Sequence, residues 1–233
     1  MKRTGPNLHT VPQSKPLPAE AQVVVDVLSQ VVTGERLKRI DQIIAQRTDQ
    51  VVPVLEGLTD PHNISAVLRS CDAFGIQGVH VIEGTYGFVA AHAVSRGSER
   101  WLDVVRHETA LSCVTDLKSQ GYSIYVAEMH GAVAVEELSS LRKVALVLGN
   151  EHRGASDAIR SAADGSYRIP MRGFVESLNV SVAAAVTLYA ATSNRARESL
   201  SETQALELKA RMLLRTVNDA EKLVGTYLRD RPS

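Results

Sequence analysis

The 233-residue chain carries 26 basic and 26 acidic side chains, for a net charge of zero, with 44% hydrophobic and only 4% aromatic residues. That is ordinary globular composition with an aliphatic core, enough for one substantial domain with appendages or two small ones. It shows none of the overall Lys/Arg excess that usually advertises phosphate binding. No apolar run reaches the roughly 18 residues a membrane helix needs. The opening "MKRTGPNLHTVPQSKPLPAEAQ" has no apolar stretch behind its charges, so it is not read as a secretory signal. Cys71 and Cys113 stand alone and far apart, a spacing that gives neither a disulfide framework nor a zinc motif. Two reduced thiols in a cytoplasmic protein is the reading they support. The charge is unevenly spread. Residues 1–50 hold 7 basic and 5 acidic side chains, residues 195–233 hold 8 and 6, and the stretch between holds 11 and 15. The slightly basic ends are either a binding signal or ordinary surface variation.

Residues 1–18 contain four of the eight prolines and little to bury, which predicts a flexible tail. "AEAQVVVDVLSQVV" and "ERLKRIDQIIAQRT" read as two short amphipathic helices separated by Gly34. The pattern then alternates. Strands are predicted at 51–57, 78–84, 122–128, 144–150 and 166–171. Helices are predicted at 62–75, 110–121, 154–163 and 178–193. Continuously apolar strands alternating with helices predict an α/β fold with a mostly parallel sheet covered on both faces. One last helix is expected over 202–228, where Leu206, Ala210, Leu213, Val217, Ala220, Val224 and Leu228 recur at helical spacing.

Ligands of open α/β sheets bind beyond the carboxyl ends of the strands. The first such loop is "TDPHNISAVLR". Asp60 is a good N-cap and Pro61 a good first helical residue, which sets Asn63 in the first turn and Arg69 nearly two turns on. Asn63 either makes a turn or capping contact or faces a ligand; Arg69 is either a surface ion-pair partner or part of a site. After "VALVLG" comes "NEHRGAS", where Glu151 either caps the next helix or faces a ligand. The third is "GFVESLNVSVAAAVTLYAA". Glu176, Ser177 and Asn179 supply more polar groups than one helix start requires, and buried polar groups must be paired. Neither common phosphate-loop fingerprint is present, nor H-E-x-x-H, nor a G-x-S-x-G elbow. The seven histidines are scattered and make no metal set in the sequence.

Together and in this order, "PHNISAVLRSCDAFG" (61–75), "VALVLGNEHRGAS" (144–156) and "IPMRGFVESLNVSVAAAVTLYA" (169–190) resemble the motifs of the SPOUT superfamily, in its RNA ribose 2′-O-methyltransferase branch. Within that branch the chain most resembles the tRNA enzymes that methylate guanosine 18 of the D-loop. "ERLKRIDQIIAQRTDQVVPVLEGLTDPHN" and "GSERWLDVVRHET" extend the likeness over residues 35–228, while the first 34 residues do not match. The resemblance implies a C-terminal trefoil knot, an exception to the rule against knots. It implies S-adenosylmethionine as methyl donor, held near Ala127, Gly149, Ile169 and Leu178, with Ala127 where relatives often carry Thr. It implies tRNA as partner and a homodimer with its active site at the interface. The chemistry asks for no metal, and no membrane is implied. The expected division is a tail and short helix (1–34), a methyltransferase domain with its leading helix (35–193) and a C-terminal helical extension (194–233).

The implied catalytic set is Arg69, Asn63, Glu151, Ser177 and Asn179. Arginine does not give up its proton at ordinary pH. Arg69 therefore either clamps a neighbouring phosphate or stabilises negative charge developing on the 2′-oxygen. Two other readings stand beside this one. One is ribose methylation of ribosomal RNA, whose enzymes often carry an N-terminal RNA-binding domain; about 50 residues precede the first strand, too few for such a domain. The other is a non-catalytic RNA-binding module, which predicts loss of at least one of the five residues; all five are present. Arg36, Lys38, Arg39 and Arg47 are candidate RNA contacts, or ordinary solvated helix residues.

Overall fold

The computed structural model describes residues 8–10, 16–82, 89–91, 97–196 and 198–230. The chain divides into two compact units, Met1–Ser14 with Asp49–Arg197, and Lys15–Thr48 with Glu198–Ser233. The expected boundaries differ from this. Residues 35–48, predicted to lead the methyltransferase domain, group instead with the C-terminal helices, because their apolar stripe is buried among helices rather than on a sheet.

In chain order the first unit has strands β1 (Leu8–Thr10), β2 (Val51–Glu56), β3 (Gly78–Ile82), β4 (Val89–Ala91), β5 (Asp103–His107), β6 (Ser123–Ala127), β7 (Val133–Ala134), β8 (Val144–Leu148) and β9 (Gly165–Arg168). β1 and β4 form a small antiparallel pair. The other seven make one sheet in the order β5-β3-β2-β8-β6-β9-β7, every pair parallel. The parallel sheet expected from the apolar runs is present. β8 lies at its centre with all five residues buried.

Two-residue alternation divides the side chains between two cores. Val51 and Leu55 of β2 and Val144, Leu146 and Leu148 of β8 join one cluster. It is roofed by α3 (Pro61–Ala73), through Ile64, Val67 and Leu68, and by the helix Val180–Ser193, through Ala184, Leu188 and Ala191. Val52, Val54, Ala145 and Val147 join the opposite cluster, with Cys113, Val114 and Leu117 of the helix Ala110–Ser119 and Ile159 of the helix Asp157–Ala162. Both faces being buried is why the strands read as unbroken apolar runs. Pro53 sits inside β2, where a missing N–H is usually costly. The register with β3 begins only at Val54, one residue beyond it. Residues 169–171 were expected to continue β9, but the strand ends at Arg168, just before Pro170.

The second unit is helical. Its helices are α1 (Ala21–Ser29) and α2 (Gly34–Ile44), followed, after α4 (Ala110–Ser119), α5 (Asp157–Ala162) and α6 (Val180–Ser193) of the first unit, by α7 (Glu202–Thr216) and α8 (Ala220–Asp230). Val24 and Leu28, Ile40, Leu208 and Leu213, and Val224 are among its buried residues from the four helices. Lys209 pairs with Asp41 at 2.7 Å. Gly34 does not separate two helices; it opens the second one, capped by Thr33, whose Oγ accepts from the Arg36 N–H. Nor is 202–228 one helix. The chain leaves the helical region at Val217 and turns through Asp219, which is left-handed at φ 54°. Asn218 and Asp219 are residue types that favour such turns over helix interiors.

Candidate active site

Three loops leave the carboxyl ends of β2, β8 and β9, and their side chains meet. Asn179 is the N-cap of α6. Its Oδ1 accepts from the Ser181 N–H at 2.9 Å and from the Ser181 hydroxyl at 2.6 Å. Its Nδ2 donates to Oδ1 of Asn63 at 3.1 Å. Asn63, in the first turn of α3, donates in turn through Nδ2 to Oε1 of Glu151 at 3.1 Å. The chemistry at the ends fixes the direction of this chain. A carboxylate only accepts, so Asn63 must present its NH2 to Glu151 and its oxygen to Asn179. Asn179 must then present its own oxygen to the helix N-terminus, which only donates. Capping and ligand-facing were alternatives for Asn63 and Glu151 in the sequence. Neither caps a helix: Asp60 caps α3 and Ser156 caps α5.

Beside this chain lies a cleft of about 480 Å³. Its walls come from the ends of β6, β8 and β9 and from the 171–183 segment. All four expected cofactor positions, Ala127, Gly149, Ile169 and Leu178, line it, as do Glu151, Ser177 and Asn179. Glu176, singled out with them, lies there too. Asn63 borders the cleft only through its bonds to Glu151 and Asn179. Arg69 is not brought in. It is exposed on α3 and, among the described residues, makes no hydrogen bond or ion pair. Six helical residues turn the chain by about 600°, so Arg69 points roughly 120° away from Asn63 around the helix.

The shape of the cleft floor depends on Gly149. A Cβ there would fall on the backbone of Gly154 and Ala155. The loop closes on itself through Asn150 and Gly154, whose backbones exchange bonds of 3.0 and 2.8 Å. Two residues not singled out from the sequence hold it. The Asn150 side chain accepts from the His152 and Arg153 N–H groups and donates to the Gly57 carbonyl at 2.8 Å. Glu56, the last residue of β2, accepts from the Ser156 N–H at 2.8 Å and from its hydroxyl at 2.6 Å. Only their place immediately beside a strand end could have flagged them.

Residues 50–189 match the SpoU rRNA Methylase family, from the start of β2 to near the end of α6. The chain belongs to that family. The SpoU region thus contains the whole cleft, the amide chain and Arg69. Over 176 residues the protein is 34% identical to the tRNA (guanosine(18)-2′-O)-methyltransferase of Thermus thermophilus, covering 75% of this chain and 91% of the relative. Among solved structures it is similar to the A. aeolicus TrmH/SpoU tRNA modifying enzyme, with a TM-score of 0.71 and 28% identity over 79% of this chain and 98% of that one. It is also similar to the SpoU methyltransferase AviRb from Streptomyces viridochromogenes, solved in complex with AdoMet, with a TM-score of 0.55 and 29% identity over 65% and 63% of the two chains. No helix among the described residues is long and apolar enough to cross a membrane.

Away from the cleft the SpoU sheet holds a second polar cluster, one the spacing of residues in the sequence hides. The histidines are not all scattered. His80 on β3 and His107 at the end of β5 are buried, with His80 Nδ1 2.9 Å from His107 Nε2. Burial holds His80 down at about 4, helped by His107 and opposed by Asp116; burial also lowers His107. Burial, with Asp116 and Glu56 nearby, pushes the Cys113 thiol up to about 12.

Proposed function

We propose that the protein transfers a methyl group from S-adenosylmethionine to a ribose 2′-oxygen of tRNA, at guanosine 18 of the D-loop, and does so as a homodimer. The observation that carries this reading is the meeting of Asn63, Glu151 and Asn179, from three separate segments, beside a cleft at the carboxyl ends of three strands that Glu151 and Asn179 line. The cleft suits the donor. Its volume lies in the small-molecule range. Its floor is bare backbone at Gly149, with Leu148, Ile169, Leu178 and Val180 as apolar wall and Glu151 and Glu176 as polar groups. Ala127, Gly149, Ile169 and Leu178 would hold the cofactor, which supplies an electrophilic methyl group when bound. The order of the strands around β8 and the likeness to SpoU structures support a trefoil knot formed by the 149–156 and 169–179 segments.

The protein's own task is orientation. The one-way amide chain keeps Glu151, Asn63 and the start of α6 in a fixed mutual geometry, and alignment of two reactants can contribute several kcal/mol. Arg69 clamps an RNA phosphate or stabilises charge forming on the 2′-oxygen; it does not accept the hydroxyl proton. Its exposure outside the cleft of its own chain supports a site completed by a second copy. So does the exposed apolar row Val182, Val186 and Tyr189 on α6, at helical spacing, with Phe174 and Val175 exposed nearby.

Incubation with labelled S-adenosylmethionine and either unmodified tRNA or ribosomal RNA, followed by nucleoside mass spectrometry, tests the proposal. The expected product is 2′-O-methylguanosine mapped to the tRNA D-loop. Methylation of ribosomal RNA alone would move the substrate while keeping the chemistry. Cofactor binding without transfer to either RNA would leave a non-catalytic module.

A further inference from the structure

We infer that His80, His107 and Cys113, completed by Asp116, form a binding site for a divalent transition metal of the zinc class. The potential ligand atoms of the two histidines and the cysteine all lie within 4.8 Å of one another, and all three residues are buried. His107 Nε2 is the hub, 2.9 Å from His80 Nδ1 and 4.0 Å from Asp116 Oδ2.

The fold brings these groups together by two separate periodicities. His80 and His107 stand on neighbouring parallel strands. His107 is paired with Ile82, two residues beyond His80, so both histidines point to the same sheet face. Cys113 and Asp116 are three apart on α4, on one side of that helix. The resulting set of two imidazoles, one thiol and one carboxylate is the four-coordinate, nitrogen- and sulfur-rich chemistry that zinc prefers and magnesium or calcium does not.

Binding requires the four side chains to rearrange around the ion. Tetrahedral zinc sets two ligand nitrogens about 3.3 Å apart, and a nitrogen and a sulfur about 3.6 Å apart. The imidazoles would open slightly and Asp116 and Cys113 would close in. Binding releases one proton, from the Cys113 thiol, to solvent. The N–H shared between the rings moves to the other nitrogen of its ring, with no net loss. None of the four residues lines the cleft, so the site is independent of the methyl-transfer reading. It would tie the sheet-edge strand β5 and its neighbour β3 to α4.

The test uses the full chain, reduced and stripped with a chelator, titrated with Co²⁺ and then Zn²⁺. The expected result is a visible spectrum of tetrahedral cobalt with a thiolate-to-cobalt charge-transfer band, bleached by one equivalent of Zn²⁺. Cys113→Ala should abolish that band and weaken Co²⁺ binding at least ~100-fold, as befits a lost ligand. Cys71→Ala, whose thiol belongs to the opposite core, should leave the band intact. Asp116→Asn, a change at a partly exposed position that leaves the core intact, should weaken binding ~10-fold. A folded chain that gives no thiolate band overturns the proposal. So does a band that survives Cys113→Ala, or Co²⁺ affinity unchanged in Asp116→Asn.

Discussion

The polar groups at the rim of the cleft and those at the β3–β5–α4 corner are built on opposite terms. Glu151 and Asn179 are exposed and Asn63 is half-buried, joined in a single file of hydrogen bonds. His80, His107 and Cys113 are buried, with one short contact between the rings. At the rim, water can replace any lost partner, so each bond contributes little to folding and its value lies in geometry. In the corner water has no such access, and a change there is felt in stability first. Substitutions should therefore separate cleanly into those that lower turnover at constant melting temperature and those that do the reverse.

The largest effect on the functional side is expected from Arg69→Ala. The residue is exposed and unpaired among the described residues, so folding should be unaffected. Loss of a charge-stabilising or phosphate-clamping group should cut kcat by about 10²–10³. Arg69→Lys should stay close to the alanine variant if a planar clamp is required, and single-turnover methylation of tRNA would measure both. Recovery of most activity with lysine would remove the planar clamp and leave simple charge.

On the stability side, the corner should make the metal-free protein acid-sensitive. His80 is held at about 4 when folded, below its ordinary 6.5, so between those values the unfolded chain binds the additional proton. Stability is then full above about pH 6.5 and falls as pH drops toward 4, by about 3 kcal/mol at the upper bound. His107 and Asp116 face the same ring and reshape the curve within that window. Urea midpoints from pH 7.5 to 4.5 in chelator should fall more steeply for the wild type than for His80→Gln. Parallel slopes would show that carboxylates elsewhere carry the acid sensitivity.

Asn63→Asp attacks the rim chain by direction rather than by size. It sets a second carboxylate against Glu151 and removes the donor that Glu151 requires. A fall of about 10² in kcat/KM with little change in melting temperature is expected. Asn63→Ala should cost less than Asn63→Asp. The reverse order would mean that Asn63 matters through contact with RNA rather than through Glu151.

Part of the rim was legible in the sequence from position alone: Glu151 comes soon after β8, and Ser177 and Asn179 gather at the start of α6 as more polar groups than one helix start needs. Gly149 was placed at the cleft by the family resemblance, not by its spacing. The central sheet was legible because β2 and β8 are buried on both faces and read as unbroken apolar runs. β5 was missed because it is an edge strand, with Arg106 and half-buried Val105 diluting the pattern. The corner was invisible for a related reason. His80 and His107 are 27 residues apart and meet only through the register of two parallel strands, which no local spacing encodes. The break at Val217–Asp219 was hidden by an apolar period that continues through it in α7 and α8.

The smallest expected effect is the most discriminating about how the cleft is held. Glu56 touches neither the cleft nor the amide chain, yet both of its carboxylate oxygens hold Ser156, at the far end of the loop that carries Gly149 and Glu151. Glu56→Gln keeps the size and leaves one acceptor oxygen where two are used. The loop should loosen at its base while Glu151 stays bonded to Asn63. KM for S-adenosylmethionine is expected to rise about tenfold with kcat within about twofold, the signature of lost uniform binding. Ser156→Ala, which leaves the backbone N–H to Glu56 in place, should show a smaller shift in the same direction. If kcat falls and KM does not, Glu56 governs the chemical step through Glu151. The rim would then be a four-residue device rather than a three-residue one.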